Sequence, residues 1–218
     1  MFVPDLNDAS VSMSKSGDFL ALAQWRRMVA QIYADVRCVD VPEAAWQQFL
    51  AARNALFKTH AQSPLDEGQR AVFSELPFFA YDPDYRVVGK LDLNVPQEQF
   101  CLELAADGEF RYRRVATVLF AIKGQTAQLS LFWIEGYGGG LFLPFKDLTS
   151  KTETFGAGRY LYDTIKGADL GVDETKILLD FNFAYNPSCA YNDQWVCPLA
   201  PLENSLNFPI LAGEKKFV

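Results

Sequence analysis

The hydrophobic periodicity of this chain changes near residue 85, and that change limits the folds it can adopt. Before residue 85, apolar residues recur at steps of three and four, as they do along one face of a helix, and Leu22, Trp25 and Val29 begin such a stripe. After it, short segments of extended character follow one another, separated by turn signals such as Lys123-Gly124. Short strands at this spacing indicate an antiparallel sandwich or barrel and not βαβ units.

Capping residues, prolines and glycines give the boundaries of these elements. Helices are predicted over residues 18–37 and 42–58, with a short helix over 66–74. The predicted strands are residues 85–93, 99–104, 110–113, 114–123, 127–135, 140–144, 158–163 and 177–183. We therefore predict an α+β, mainly β fold, in which an antiparallel β-barrel or sandwich is covered by an N-terminal helical segment.

Residues 1–218 are predicted to form a single domain, with a helical segment in residues 1–80 that begins with a tail over 1–15. The β core takes up residues 81–218. Segment 114–123 carries apolar residues on both faces, so we expect it to be covered on both sides, with the helices as the second cover. Residues 184–217 are rich in aromatic residues, proline and asparagine and show almost no regular period, which is typical of a closing loop or a site.

Charge and composition exclude several classes of partner. The net charge is -7, and a chain without a cluster of Lys and Arg is repelled by nucleic acid and by anionic membranes. No apolar run has the length of a signal peptide or of a membrane span, so we predict a cytoplasmic protein whose four cysteines are thiols. Half of the residues are apolar, which leaves room for a homodimer.

Two common kinds of site are disfavoured by the residues present. His60 is the one histidine of the chain, so a catalytic triad built on histidine is not predicted. Cys189 and Cys197 are separated by seven intervening residues with no histidine near them, and structural zinc usually takes four closely spaced Cys or His ligands. We therefore predict no metal site, and the sequence does not indicate which cofactor, if any, the protein uses.

Four stretches give the chain a resemblance to a known family. They are residues 63–65 at the end of the helix pair, residues 145–150 with 154–161, residues 179–182 with 184–191, and residues 197–199 with 203–204 and 212–215. Together they resemble the bacterial and archaeal family called domain of unknown function 1684. The resemblance implies no activity, but it implies that these polar residues form one recurring motif. The family typically has an arginine where this chain has Phe183, and a second proline where it has Ala200.

Three functions are compatible with this motif. The first is a small-molecule site, with or without enzymatic activity, at one end of the barrel. Its predicted binding residues are Asp147, Arg159, Asp180, Asn182, Tyr185, Asn186, Cys189, Glu203 and Asn204. Within it, Asp180 or Glu203 would act as a base, Arg159 would hold an anion and Cys189 would be the nucleophile.

The second function is a non-catalytic scaffold in which the motif is an internal hydrogen-bond clamp. The third is a flavin-binding split barrel, with Arg159 and Lys123 holding the phosphate. An open cavity would favour the first, and mutual saturation of the side chains would favour the second. We expect Arg159 and Asp180 to form a close pair, with Asp147 as the alternative partner, because a buried arginine needs a carboxylate. An open arrangement of that pair is expected.

Overall fold

Three helices precede the sheet in the computed structural model, which describes residues 16–104 and 108–217. They are α1 (Ser16–Arg37), α2 (Pro42–Thr59) and α3 (Glu67–Val72). Pro42 begins α2, where its missing N–H removes no helical hydrogen bond. Asp66 caps α3 by accepting a hydrogen bond from the backbone N–H of Gln69. The predicted tail over 1–15 lies outside the described residues.

The strands form one seven-stranded sheet in which every pairing is antiparallel. They are β1 (Arg86–Asp92), β2 (Gln99–Leu104), β3 (Gly108–Ile122), β4 (Gln125–Ile134), β5 (Gly140–Phe145), β6 (Arg159–Asp163) and β7 (Lys176–Asp180). The order is β6-β5-β4-β3-β1-β7, with β2 paired to the far end of β3. The sheet curls into a half-barrel with the helices against it, which confirms the predicted α+β, mainly β class.

The strands predicted over residues 110–113 and 114–123 are one continuous strand, β3. Its register with β4 shifts between Arg114 and Ala116, as at a β-bulge. Because side chains alternate with a period of two, one extra residue moves the buried set to the other face. Tyr112 therefore packs with the helices, whereas Ala116 and Val118 pack on the opposite face of the sheet.

The prediction that segment 114–123 is buried on both faces is wrong. Leu119 is 39% exposed and Ala121 is exposed, so only one face of this part of β3 is covered. Burial on both faces occurs instead in β4, where Leu131 packs on the inner side and Phe132 packs towards the helices. The helices reach β4, β5 and β6 and leave the outer face of this part of β3 bare.

The C-terminal segment fills the inside of the half-barrel. Alternate residues of this segment, Leu206, Phe208, Ile210 and Ala212, are buried in the same cluster as β3, β4 and β7. The residues between them are exposed. This alternation corrects the interpretation that residues 184–217 have almost no period: from residue 204 the chain is extended, with few β-ladder partners.

The helices cover the other face of the sheet. Tyr33 of α1 and Phe49 of α2 pack in one cluster with sheet residues such as Phe132 and Phe142. The ring of Phe49 lies 5.0 Å from that of Phe183, which follows β7. Among the residues that the structure describes, no helix is both long and apolar enough to cross a membrane.

We expect Phe49→Ala to destabilise the protein by about 3–5 kcal/mol, because Phe49 is 1% exposed and its removal leaves a cavity between the helices and the sheet. Chemical denaturation measures the change. Val72→Ala is the control, since Val72 is 84% exposed and its loss is expected to cost no more than about 0.5 kcal/mol. Equal losses for the two variants would contradict the view that the helices share the core of the sheet.

Candidate functional site

Most of the predicted site residues are buried and form separate hydrogen-bonded groups. The buried members are Asp147, Arg159, Asp180, Asn182, Tyr185, Asn186 and Asn204. Cys189 is half-buried and Glu203 is exposed. The structure thus distributes these residues over several places in the fold, and whether any of them binds a ligand stays a prediction.

Arg159 at the start of β6 pairs with Asp147 and not with Asp180, which corrects the predicted pair. Its Nη2 lies 2.9 Å from Oδ2 of Asp147, and both side chains are 1% exposed. The expected open arrangement is also wrong, since the pair is sealed. The alternative partner named from the sequence is the one that occurs, because Asp147 follows β5, the hydrogen-bonded neighbour of β6.

The Arg159–Asp147 pair holds the C-terminal segment inside the half-barrel. The guanidinium of Arg159 donates to the backbone carbonyls of Ile210, Ala212 and Glu214. The second oxygen of Asp147 accepts from the N–H of Ile210 and from Thr149. An extended chain outside a ladder needs such side-chain partners for its polar groups.

The cost of this arrangement is visible in the pKa of Arg159. Burial lowers that pKa even though the Asp147 carboxylate beside it favours the charged form. The ring of Phe145 lies 5.0 Å from the guanidinium carbon and closes one side of it. A charge held in this way is a structural element, since the guanidinium bonds carbonyls and a carboxylate of the protein itself.

A second buried group is centred on Glu214. Its carboxylate accepts from Nη2 of Arg53 at 3.0 Å, from the backbone N–H of Asn186 at 3.0 Å and from the hydroxyl of Tyr191. Asn186 also donates to the carbonyl of Lys215 at 2.8 Å. Burial acts to lower the pKa of Arg53, but the Glu214 charge and the neighbouring tyrosines together outweigh it and the pKa is raised. This group joins α2, the 184–191 segment and the C-terminal segment.

Tyr185 lies beside this group. Its backbone N–H and carbonyl both bond Tyr160 of β6, and burial raises the pKa of its hydroxyl. The guanidinium carbon of Arg53 lies 5.0 Å from the centre of the Tyr185 ring. The backbone of Tyr185 thus continues the edge of the sheet beside β6, and its ring covers the buried charge of Arg53.

A third group connects Asp180 with Asn182 and Arg86. One oxygen of Asp180 accepts from the backbone and the side chain of Asn182, and the other accepts from Nη1 of Arg86 at 3.0 Å. Asn182 in turn bonds both backbone polar groups of Asp82, and its carbonyl accepts from the Trp46 indole of α2. Burial raises the pKa of Asp180 in spite of these donors. Since these bonds satisfy it, Asp180 is poorly placed to act as a base.

Glu203 and Asn204 point in different directions. The Asn204 amide bonds the N–H and the carbonyl of Ser130 and the carbonyl of Pro144. It therefore replaces a piece of β-ladder where β4 and β5 separate. Glu203 faces outward and forms a bidentate ion pair with Arg114, with both oxygens 2.8 Å from Nη2.

Cys189 and Cys197 come together at the surface end of the motif. The backbone N–H of Cys189 points to Sγ of Cys197 at an N···S distance of 3.4 Å, and the Cys189 thiol is hydrogen-bonded to the same sulfur. Both residues are partly exposed, and neither is bonded to another cysteine. The hydroxyl of Tyr160 bonds the carbonyl of Pro198, which fixes the backbone after Cys197.

This contact separates the acidities of the two thiols. The hydrogen bond from Cys189 lowers the pKa of Cys197 to about 6, against the effect of burial, and the Cys189 N–H and the charge of Lys166 act in the same direction. The same contact raises the pKa of Cys189. The contact therefore favours the thiolate on Cys197, whereas the sequence indicates Cys189 as the nucleophile.

Two clefts of about 240 and 230 Å³ open at the surface beside these groups. The first is lined by Val95, Pro96, Arg114, Thr117, Gln128, Ser130 and Glu203. The second is lined by Val36, Arg37, Val39, Pro42, Ala45, Arg86, Leu170, Leu178 and Phe183. Of the residues predicted for the site, Glu203 borders the first cleft and none borders the second.

Several residues of these groups were not predicted from the sequence. Arg53 and Arg86 provide the cations for Glu214 and Asp180. A signal for Arg53 was present, because it lies four residues from Phe49 and four from Phe57 on the apolar face of α2, where a charge must have a partner. Arg86 had no such signal, since its partner depends on the pairing of β1 with β7.

The fold and its buried groups define an α+β half-barrel protein whose C-terminal segment is fixed by internal ion pairs. Residues 71–215 match the model of the family described as "Protein of unknown function (DUF1684)", and the chain belongs to this family. The resemblance inferred from its motifs is thereby confirmed.

The chain is also similar to the solution NMR structure of the uncharacterized protein from gene locus rrnAC0354 of Haloarcula marismortui. The two sequences are 32% identical, the match covers 79% of this chain and 93% of the other, and the TM-score is 0.58. No curated protein matches this chain.

We expect Asp147→Ala to destabilise the fold by about 3–5 kcal/mol, because it leaves the Arg159 charge buried without a carboxylate. Urea unfolding followed by circular dichroism measures the loss. Glu109→Ala is the matched control, since it removes the acid of the exposed pair with Arg111 and is expected to leave the unfolding free energy nearly unchanged. If the Asp147 variant is as stable as the parent protein, the pair does not clamp the C-terminal segment.

Proposed function

We propose that this protein reacts with small disulfides through a dithiol site formed by Cys189 and Cys197, with Cys197 as the attacking thiolate and Cys189 as the resolving thiol. The observation that carries the proposal is the contact between the two cysteines, in which Sγ of Cys197 accepts from the N–H of Cys189 at 3.4 Å. The proposal keeps a small-molecule site within the C-terminal motif, and it names the reaction at that site as thiol–disulfide exchange.

The pKa values support these roles. A free cysteine has a pKa of about 8.5 and is mostly protonated at neutral pH. With a pKa of about 6, Cys197 is mostly ionised at pH 7, and a thiolate is the form that attacks a disulfide. Partial exposure of both cysteines gives a small molecule access to the sulfur.

The reaction has two steps. The Cys197 thiolate attacks one sulfur of a small disulfide RSSR, so that a mixed disulfide forms and one thiolate RS⁻ leaves. Cys189 then loses its proton to solvent or to the released thiolate and attacks the sulfur of Cys197, and a second RS⁻ leaves. Two protein thiols are oxidised to one disulfide, and one small disulfide is reduced to two thiols.

The buried charges act in this proposal as the frame of the site. Asn186 and Tyr191, which lie on either side of Cys189 in the chain, both bond Glu214. The Tyr160 hydroxyl fixes the backbone at Pro198. A loop held at these points keeps the two sulfurs near each other, which favours the second step over release of the mixed disulfide.

The internal-clamp function remains the second candidate. It is favoured by the mutual saturation of Asp147, Arg159 and Glu214, since these side chains bond the protein itself. In that case the cysteines would have ordinary reactivity. The flavin alternative has less support, because Arg159 is sealed and Lys123 pairs with Asp82 and Asp84.

Alkylation by iodoacetamide tests the acidity of Cys197. We expect its rate to rise with pH around pH 6 and to level off near pH 7.5, because the depressed pKa means that the thiolate forms as the pH passes through about 6. Peptide mass spectrometry assigns the rate to each cysteine. Free cysteine in solution is the control, and its rate is expected to keep rising beyond about pH 8, since the pKa of a free thiol is about 8.5. The same profile for Cys197 and free cysteine would contradict the proposal.

Oxidised glutathione tests the exchange. In the parent protein we expect release of two glutathione molecules per chain and an internal disulfide. Cys189→Ser should stop at the mixed disulfide on Cys197, whereas Cys197→Ser should react far more slowly. A variant with both Cys38→Ser and Cys101→Ser should behave as the parent does, since these cysteines lie elsewhere on the surface. Reaction at Cys38 or Cys101 alone would favour the clamp function.

A further inference from the structure

The second cleft lies between the helices and one edge of the sheet, away from the cysteine pair. Its walls come from the end of α1, the start of α2, the start of β1 and from β7. Seven of the nine residues that line it are apolar and the other two are Arg37 and Arg86, although polar atoms make up the larger part of the exposed surface. Apolar residues with a few charged groups among them are the usual lining of a small-molecule site.

Each arginine is bonded to the protein on one side and is open on the other. Arg86 donates through Nη1 to Asp180, which is fully buried, while the Arg86 side chain itself is 33% exposed. Arg37 donates through Nη1 to the carbonyl of Asp169 at 2.7 Å, lies 3.4 Å from its carboxylate, and is 36% exposed. The acids thus lie on the protein side of the guanidinium groups, and the remaining nitrogens are available to a ligand.

A structural role explains each arginine taken singly. Arg37 is the last residue of α1, where a cation complements the helix dipole, and Arg86 neutralises Asp180. These roles do not require both guanidinium groups to border the same cleft. The first turn of α2, with Pro42 and Ala45, borders it as well and adds the positive end of an 18-residue helix.

We infer that this cleft binds a small monocarboxylate with a short alkyl chain. The planar guanidinium groups fit a carboxylate through paired N–H···O bonds, and the half-buried Leu170 and Leu178 offer apolar surface to the chain. Asp169 and Asp180 already balance the two arginine charges, so a dianion such as a phosphate monoester would add more uncompensated charge to the cleft than a monocarboxylate does. The inference is independent of the reaction at Cys197.

Calorimetric titration of the full chain with hexanoate tests the site, with hexanamide and hexyl phosphate as probes of charge. We expect hexanoate to bind and to raise the melting temperature with increasing concentration. Hexanamide keeps the shape and loses the charge, and we expect it to bind at least about tenfold more weakly. Hexyl phosphate should be no better than hexanoate. The Cys197→Ser variant should bind hexanoate as the parent does, which separates this result from the thiol chemistry.

Charge-removing variants locate the site. Arg37→Gln and Arg86→Gln should each weaken hexanoate binding by about tenfold, the loss of one charge-assisted pair. Arg26→Gln, at an exposed position of the same helix, should have no effect. If Arg86→Gln fails to fold because Asp180 loses its partner, Arg37→Gln still decides the question. Equal binding of hexanoate and hexanamide, no binding of hexanoate, or an equal loss with Arg26→Gln would overturn the inference.

Discussion

An extended C-terminal segment lies inside a half-barrel, and its backbone needs hydrogen-bond partners that no neighbouring strand supplies. Arg159 and Asp147 provide these partners. The guanidinium donates to carbonyls on one side of the segment, and the carboxylate accepts from the N–H of Ile210. The segment brings Leu206 and Phe208 into the core that β3, β4 and β7 form. Without the ion pair, the C-terminal segment would no longer be held in the half-barrel, and the core there would lose apolar side chains and its cover.

The other buried groups repeat this arrangement at the remaining junctions. Glu214 joins the end of the chain to α2 through Arg53, and Asn182 joins the end of β7 to α2 through the Trp46 indole. Asn204 fills the gap between β4 and β5 with an amide in place of a strand. The motif is rich in polar residues because an irregular chain needs side-chain hydrogen bonds at many points. A ligand is not required to explain most of these residues.

The two proposed sites lie where segments fixed by buried bonds reach the surface. Buried hydrogen bonds hold the loop that carries Cys189 and Cys197 on both sides, so the two sulfurs are kept close to each other. The cleft beside Arg37 and Arg86 arises in the same way, because Asp180 fixes one wall while the guanidinium of Arg86 faces outward. In both places a rigid interior supports a group that is accessible from outside.

The sequence by itself determined the helices, nearly all of the strands, the fold class and the family, because periodicity, caps and turns are local properties. It also located the motif, but not the partners within it. Arg159 pairs with Asp147 and not with Asp180 because β5, which Asp147 follows, lies beside β6, whereas β7, which ends at Asp180, lies beside β1. The acidity of Cys197 likewise depends on a contact with Cys189 that forms only when the loop closes. Which charges meet, and which sulfur is ionised, are decided by distances in the folded chain, and these are set by register and packing far along the sequence.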